Sequence, residues 1–386
     1  MSWNLEKFNT LWAVVVTLVV LVVFNGFLYY RYPQVSDKLA GSPMKPADTL
    51  SMEPAGALHP RCSASEVDLL GYSDVLDGES YERTKVGALS GLSYDSSRNV
   101  YYALSDSGVG NTPARFYTLK APIDKWGRLT EPLISDVAVL RDSQGKPFTG
   151  ANLDGEGIAV TREGEVLIAS EVEPSILRFS LDGRFLGELP VPQKFLVAPK
   201  GYAKGNASFE SLELSPNDRS LFTANEQPLS LTDGKGNDQD SSAEHGWVHL
   251  LRYKNLGSSE FEPSKEFIYP IEQEESVSEI AALSENDLLI LETQKRRIFR
   301  VALDEAGAGP EEGGLAASGA IPLEKKLVVD VDDSCPMMSA REDWGHLEGM
   351  ALGSRLPGGR RVLLLQSDDD FGDAKSRMVM LSIPSR

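Results

Sequence analysis

Four glutamates, Glu156, Glu210, Glu279 and Glu348, each lead a short apolar run. Each run passes through a polar turn into a second apolar run that closes on an acid: Glu171, Glu226, Glu292 and Asp368. A looser copy begins at Ser90 and closes on Asp106. Asp154 stands two residues ahead of Glu156, and "SDDDFGD" adds Asp369, Asp370 and Asp373 after Asp368. Carboxylates brought together in this number do one of two kinds of chemistry. They exchange protons as general acids and bases, or they offer oxygen ligands to a hard cation. The competing reading is structural: acids accepting bonds from loop amides or pairing with arginines on neighbouring strands.

The elements that must position them are hairpins. The apolar runs are short and punctuated by Gly, Pro, Asn, Asp and Ser, which reads as all-β. In an antiparallel pair, the start of one strand lies beside the end of the next. The leading and closing acids of each copy therefore fall at the same end. A third run follows every hairpin, beginning at Arg115, Ile176, Val248, Ile298 and Met378, and a fourth strand candidate such as "EFIYPI" precedes most of them. Four strands per repeat is the pattern of a propeller blade. The expected fold is an all-β propeller of five to six four-stranded blades, with five hairpins clear and a sixth, degenerate blade open. The leading strand of a blade lies nearest the axis, so the acids would crowd one mouth of the central channel. Such a rim repels itself unless something neutralises it. Ca2+, which takes six to eight oxygens, is the expected cofactor. Glu156, Glu210, Glu279 and Glu348 are then expected as ligands or general bases. Asp106, Asp154, Glu171, Glu226, Glu292 and Asp368 are expected to hold metal.

The chain has 386 residues and a formal net charge of -19. That excess of acid excludes nucleic acid as a partner by charge. Residues 8–30 carry no charged side chain and are long enough to span a bilayer, with Trp12 at one end and Tyr29 and Tyr30 at the other. The expectation is an uncleaved transmembrane helix within residues 1–32, a flexible Pro/Ser/Ala/Gly-rich linker over 33–60, and the propeller over 61–386. Lys7 on one flank against Arg31, Lys38 and Lys45 on the other would place the body in the cytoplasm by charge. The cysteines argue the other way. Cys62 precedes the first strand candidate and Cys335 the last hairpin, so a Cys62–Cys335 disulfide would staple the ring's closure in an oxidising compartment. Two unrelated free thiols is the alternative. We expect an exoplasmic propeller. "NAS" at Asn206 fits a glycosylation sequon. Loop 229–246 resembles a lid or a solvated insertion, and its match to a calcium-binding EF-hand fails because Lys235 occupies a ligand position.

Several stretches, in this order, are similar to the phytase-like family described as "esterase-like activity of phytase". They are "GLSYDSSRNVYYALSDSG", "NTPARFYTL", "DGEGIAV" with "SEVEPSILRFSLDG", "FESLELSPNDRSLFTANE", "VSEIAALSENDLLILET" and "HLEGMALG" with "LLLQSDDDF". The resemblance runs from about residue 85 to the C-terminus. It implies a β-propeller, a hydrolase, and phosphate esters as substrates by similarity to Ca2+-dependent propeller phytases. The matching acids are Asp154, Glu156, Glu171, Glu210, Glu226, Glu279, Glu292, Glu348 and Asp368. Arg115 and Arg178 match the arginine positions after the first two hairpins, and bidentate contacts from them would clamp phosphate. The chain departs from the family pattern at Ser90, which replaces a leading acid, and at His346 and Asp370, where Asn is more usual.

Three functions remain in view. The first is a membrane-anchored Ca2+-dependent phosphoesterase acting on a small phosphorylated or ester substrate. The second, a serine carboxylesterase, lacks a GxSxG nucleophile elbow. The third is a non-enzymatic propeller that binds a protein or ligand at the membrane surface.

Overall fold

The computed structural model describes residues 67–106, 112–229, 245–303, 321–334, 344–372 and 374–385. The apolar segment at 8–30, the linker, Cys62, Cys335, Asp373 and most of loop 229–246 lie outside these residues. Among the described residues no helix is long and apolar enough to cross a membrane.

After β1 (Asp68–Ser73), a small hairpin pairs β2 (Ser80–Tyr81) with β3 (Thr84–Lys85). Five four-stranded antiparallel sheets make up the rest of the described residues' strands. The first blade is β4 (Leu89–Asp95), β5 (Val100–Ser105), β6 (Arg115–Lys120) and β7 (Leu133–Val139). The second is β8 (Gly155–Val160), β9 (Glu165–Ser170), β10 (Ser175–Ser180) and β11 (Phe185–Leu189). The third is β12 (Glu213–Leu214), β13 (Ser220–Ala224), β14 (His245–Gly257) and β15 (Glu260–Glu272). The fourth is β16 (Val277–Ser284), β17 (Asp287–Glu292), β18 (Arg297–Ala302) and β19 (Lys325–Asp330). The fifth joins β20 (His346–Leu356), β21 (Arg360–Asp368) and β22 (Met378–Pro384) to β1 from the other end of the chain. The fold is therefore an all-β propeller, and five blades settle the expected five to six. Among the described residues, helix is confined to one turn, α1 (Val331–Ser334), and a 3-10 turn at Gln193–Phe195.

The apolar residues explain the ring. Each blade is sandwiched between two others, so its strands bury both faces and read as near-continuous Val/Ile/Leu runs, as in "VLIAS" and "DLLILE". Five buried clusters fill the five seams. Leu104, Phe116, Ile158 and Ile168 join blades one and two. Leu167, Phe209, Leu221 and Tyr253 join two and three. Val248, Tyr269, Ile280 and Leu288 join three and four. Leu289, Ile298, Met350 and Leu363 join four and five. Tyr101, Tyr117, Leu364 and Met380 close five onto one. A ladder of β1 on β22 completes that closure, from Asp68 opposite Ser382 to Ser73 opposite Met378. Arg360 pairs with Asp68 at 3.1 Å across the same joint.

The strands β4, β8, β12, β16 and β20 contact their neighbours around the ring and so surround the axis. The hairpin β8–β9 turns at Thr161–Gly164, where Gly164 takes φ +85°, a left-handed conformation that glycine adopts freely.

Candidate functional site

Every innermost strand is irregular at its first residues. The ladder skips between Leu89 and Leu92, Gly155 and Ile158, Val277 and Glu279, and Leu347 and Gly349. In the third blade an isolated bridge from Phe209 to Asn225 precedes the ladder that starts at Glu213 opposite Phe222. Each is a β-bulge, which re-aims a side chain at the end of a strand. The bulged lead positions are Ser90, Glu156, Glu210, Ser278 and Glu348. Opposite them the second strands close on Asp106, Glu171, Glu226, Thr293 and Asp368. The backbone makes these closing positions equivalent. Asp106 N–H donates to Ala88 at 2.7 Å, Glu171 to Asp154 at 3.0 Å, Glu226 to Ser208 at 2.8 Å and Thr293 to Ser276 at 3.1 Å. Asp368 sits across from His346 in the same place.

The carboxylates of four blades thus meet at one end of the ring. In each of two groups, Asp106/Asp154/Glu156 and Glu171/Glu210/Glu226, one ligand atom per residue lies within 4.8 Å of the others. Three carboxyl pairs are hydrogen-bonded to each other: Asp106–Asp154, Glu171–Glu210 and Glu348–Asp368. A carboxyl–carboxyl bond needs a proton, and burial beside like charge supplies the reason to keep it. Burial, then Asp106, pushes Asp154 up to about 8. Burial pushes Glu171 up to about 7, and Asp368 likewise to about 7. Glu156, Glu210 and Glu348 are driven well above the usual carboxylate range by burial and then by neighbouring acids. Burial raises Glu226 as well, against Ser276, Gln227 and Lys204, which favour its ionised form.

The fourth blade contributes none of this charge. Glu279 falls one residue past the lead position, where other blades carry Gly91, Gly157, Ser211 and Gly349. Those positions abut the neighbouring inner strand: a Cβ on Gly157 would lie 2.5 Å from Leu212 N. Glu279 accordingly has no accessible surface. Its Oε1 accepts Ile280 N–H at 3.0 Å, and amides of Leu92 and Leu212 face it, but burial still raises its pKa well above normal. The acid beside it is Glu213, a half-buried carboxyl, pushed up to about 8 by desolvation and accepting Ala282 N–H at 3.2 Å. Glu292 falls one residue short of the closing position. It is fully buried and accepts Tyr269 Oη–H at 2.7 Å and Lys325 Nζ at 2.5 Å.

The two arginines are engaged elsewhere. Arg115 is buried, with Nε donating to Tyr117 Oη at 2.7 Å and its terminal nitrogens to Pro113 O at 3.1 Å and Lys85 O at 2.8 Å. Arg178 pairs with Glu165, at the far end of β9 from Glu171. Asp369 accepts Ala88 N–H at 2.6 Å, tying the fifth blade to the first. Asp370 is exposed, and its N–H donates to Asp368 Oδ1 at 2.6 Å.

Sequence reasoning passed over two groups near this end of the third blade. Asn225, just ahead of Glu226, has no accessible surface. His249 on β14 bonds through Nδ1 to Glu266, which also takes Lys194. Burial works to raise Glu266, but His249 and Lys194 outweigh it and hold it low. Only the three-dimensional register brings these residues together. The one signal in the sequence was Asn225 itself, a polar residue inside an otherwise apolar strand.

The donor set suits a hard divalent cation. It is made of carboxylate oxygens with neither thiol nor imidazole among the grouped atoms. Asp154 Oδ1 is buried without a hydrogen-bond partner among the described residues, a free lone pair that a cation would use.

No curated protein matches the chain. Among solved structures, the chain is similar to a gluconolactonase from Xanthomonas campestris at 13% identity, covering 85% of this chain and 92% of that one, with a TM-score of 0.38. A luciferin-regenerating enzyme matches at 11% identity over 77% of this chain and 92% of that one, with a TM-score of 0.36. A protein titled glucose dehydrogenase matches at 13% identity over 77% and 82%, with a TM-score of 0.33. The phytase-like family model, described as esterase-like activity of phytase, matches residues 84–371. That span takes in four blades, β20 and β21 of the fifth and every grouped carboxylate, and the chain belongs to the phytase-like family.

Proposed function

We propose that this propeller is a hydrolase whose acidic mouth holds Ca2+ and acts on phosphate esters. The carrying observation is the pair of three-carboxylate groups, Asp106/Asp154/Glu156 and Glu171/Glu210/Glu226, each within 4.8 Å. These six residues would hold the metal. Bound there, Ca2+ would offset the rim's negative charge and polarise a phosphoryl oxygen.

The chain's own groups do the rest. Glu348 and Asp368 hydrogen-bond one another and so hold a proton between them. Such a pair is placed to accept a proton from water and return one to a leaving alkoxide. Arg115 and Arg178, expected as a phosphate clamp, have their guanidinium groups directed to Tyr117 and to Glu165, so the proposal assigns anion recognition to the metal. The apolar segment at residues 8–30 belongs to the same proposal as a membrane anchor, with the propeller on the exoplasmic side.

The test is hydrolysis of phytate and of a chromogenic phosphate monoester, with Ca2+ and with a chelator. Ca2+-dependent turnover supports the reading. Metal binding without turnover on either ester would replace it with a binding propeller.

A further inference from the structure

The end of β13 runs Ala224–Asn225–Glu226, and each residue is tied to the candidate site. The carbonyl of Ala224 accepts Glu210 N–H at 3.1 Å, and Glu226 N–H donates to Ser208 O at 2.8 Å. Asn225 forms the bridge to Phe209 between them. Antiparallel bridge partners project to the same side of a sheet. Phe209 belongs to the seam between the second and third blades. In that seam Glu171 Oε1 accepts Ser208 N–H at 2.8 Å. Asn225 therefore lies in the seam that brings Glu171 to Glu210 and Glu226.

The side chain of Asn225 is anomalous there. It has no accessible surface, yet neither Oδ1 nor Nδ2 has a hydrogen-bond partner among the described residues. A buried carboxamide left unpaired is costly, and native proteins rarely keep one without a use. The same place is filled by Ser105, Ser170 and Ser367 in three other blades and by Glu292, paired with Lys325 and Tyr269, in the fourth. Ser105 and Ser367 satisfy themselves on the carbonyls of Gly87 at 2.8 Å and Lys375 at 2.7 Å. The third blade alone carries an amide there, and it alone among the larger side chains has no partner among the described residues. Its backbone is pinned by Asn225 N–H donating to His249 O at 3.3 Å. Behind it the His249–Glu266–Lys194 network stiffens β14.

A carboxamide oxygen is a hard, neutral donor. Beside three carboxylates it adds a ligand without adding repulsion, as Asn does in calcium sites generally. We infer that Asn225 is a further ligand of the Glu171/Glu210/Glu226 group, with Oδ1 facing the bound divalent cation. This rests on the metal reading above.

The experiment is calorimetric titration of the full chain in detergent with Ca2+, paired with thermal unfolding with and without Ca2+. The variants are Asn225→Leu, Asn225→Asp and Asn225→Ser. Asn225→Leu is expected to weaken one class of Ca2+ sites at least tenfold. Its metal-free midpoint should stay level or rise, because an unpaired amide is removed. Asn225→Asp, which keeps an oxygen, should bind at least as tightly as the parent. Asn225→Ser, the residue of three other blades, should weaken binding, and it serves where the leucine variant does not fold. Parent-like Ca2+ affinity in both Asn225→Leu and Asn225→Ser would overturn the inference while leaving the metal reading intact. So would a lower metal-free midpoint with unchanged affinity, which would mark a structural amide. A parent protein that binds no Ca2+ would overturn both.

Discussion

Glu292 lies directly across the ladder from Val277, whereas Asp368 lies across from His346, one position further out. That single step separates a core ion pair from a rim carboxylate. Side chains alternate faces along a strand, so a shift of one residue turns an acid to the other side. Glu292 therefore meets Lys325 and Tyr269 in the seam between blades three and four, and the rim position passes to Thr293.

Glu292→Gln should lower stability by about 2 kcal/mol, since it removes charge-assisted bonds to Lys325 and Tyr269 in a buried setting. Ca2+ affinity should not change. Denaturant unfolding and calorimetry on the same preparation check both halves.

The rim should behave in the opposite way. Glu156→Gln with Glu348→Gln removes two half-buried acids that repel their neighbours. The metal-free protein should unfold at the same or a higher temperature, and Ca2+ binding should weaken at least tenfold. Unchanged affinity would make the rim acids structural.

The metal-free protein should lose stability as pH rises. The folded values of Asp154, about 8, and of Glu171 and Asp368, about 7, lie above those of the unfolded chain. The folded state then binds more protons than the unfolded one between about pH 4 and pH 8, and stability falls across that window. Saturating Ca2+ should flatten the profile. Unfolding midpoints at pH 5, 6.5 and 8, with and without Ca2+, measure it.

Ca2+ binding near pH 6.5 should release protons, because the hydrogen-bonded carboxyl pairs must ionise to serve as ligands. Calorimetry in two buffers of different ionisation enthalpy reads the number. Equal heats in both buffers would mean that the pairs are already ionised.

Gly157→Ala should be disruptive although it adds one methyl. The new Cβ would stand 2.5 Å from Leu212 N and 2.6 Å from Ser211 C, both backbone atoms that cannot yield cheaply. A loss of about 1–3 kcal/mol is expected. Ca2+ affinity should fall with it, because Glu156 and Glu210 flank the contact. Thermal unfolding and calorimetry test this together.

Much of the architecture was written locally. The apolar runs, their turns and their fourfold grouping identify the blades, because burial on both faces demands continuous Val, Ile and Leu and the turns demand Gly, Asn and Asp. The antiparallel rule placed leading and closing residues at one end, and Glu156 with Glu171 shows that outcome. Closure at five blades was not written locally. It depends on β1 returning to pair with β22 from the opposite end of the chain, a contact that no sequence period announces.

The site divides along the same line. By itself the sequence determined that acids gather at one end of the ring, since strand direction alone decides which ends meet. Only the tertiary structure decided which acids face one another. Glu279 reads as a leading glutamate, yet the bulge at Ser278 takes that position and sends the carboxylate to the axis. Glu292 is turned into a seam, and Asn225 is enclosed at the end of β13 with neither carboxamide atom paired among the described residues. The physical reason is the two-residue period of a strand. A bulge worth one residue is invisible in composition and spacing, but it reverses the face on which a side chain emerges.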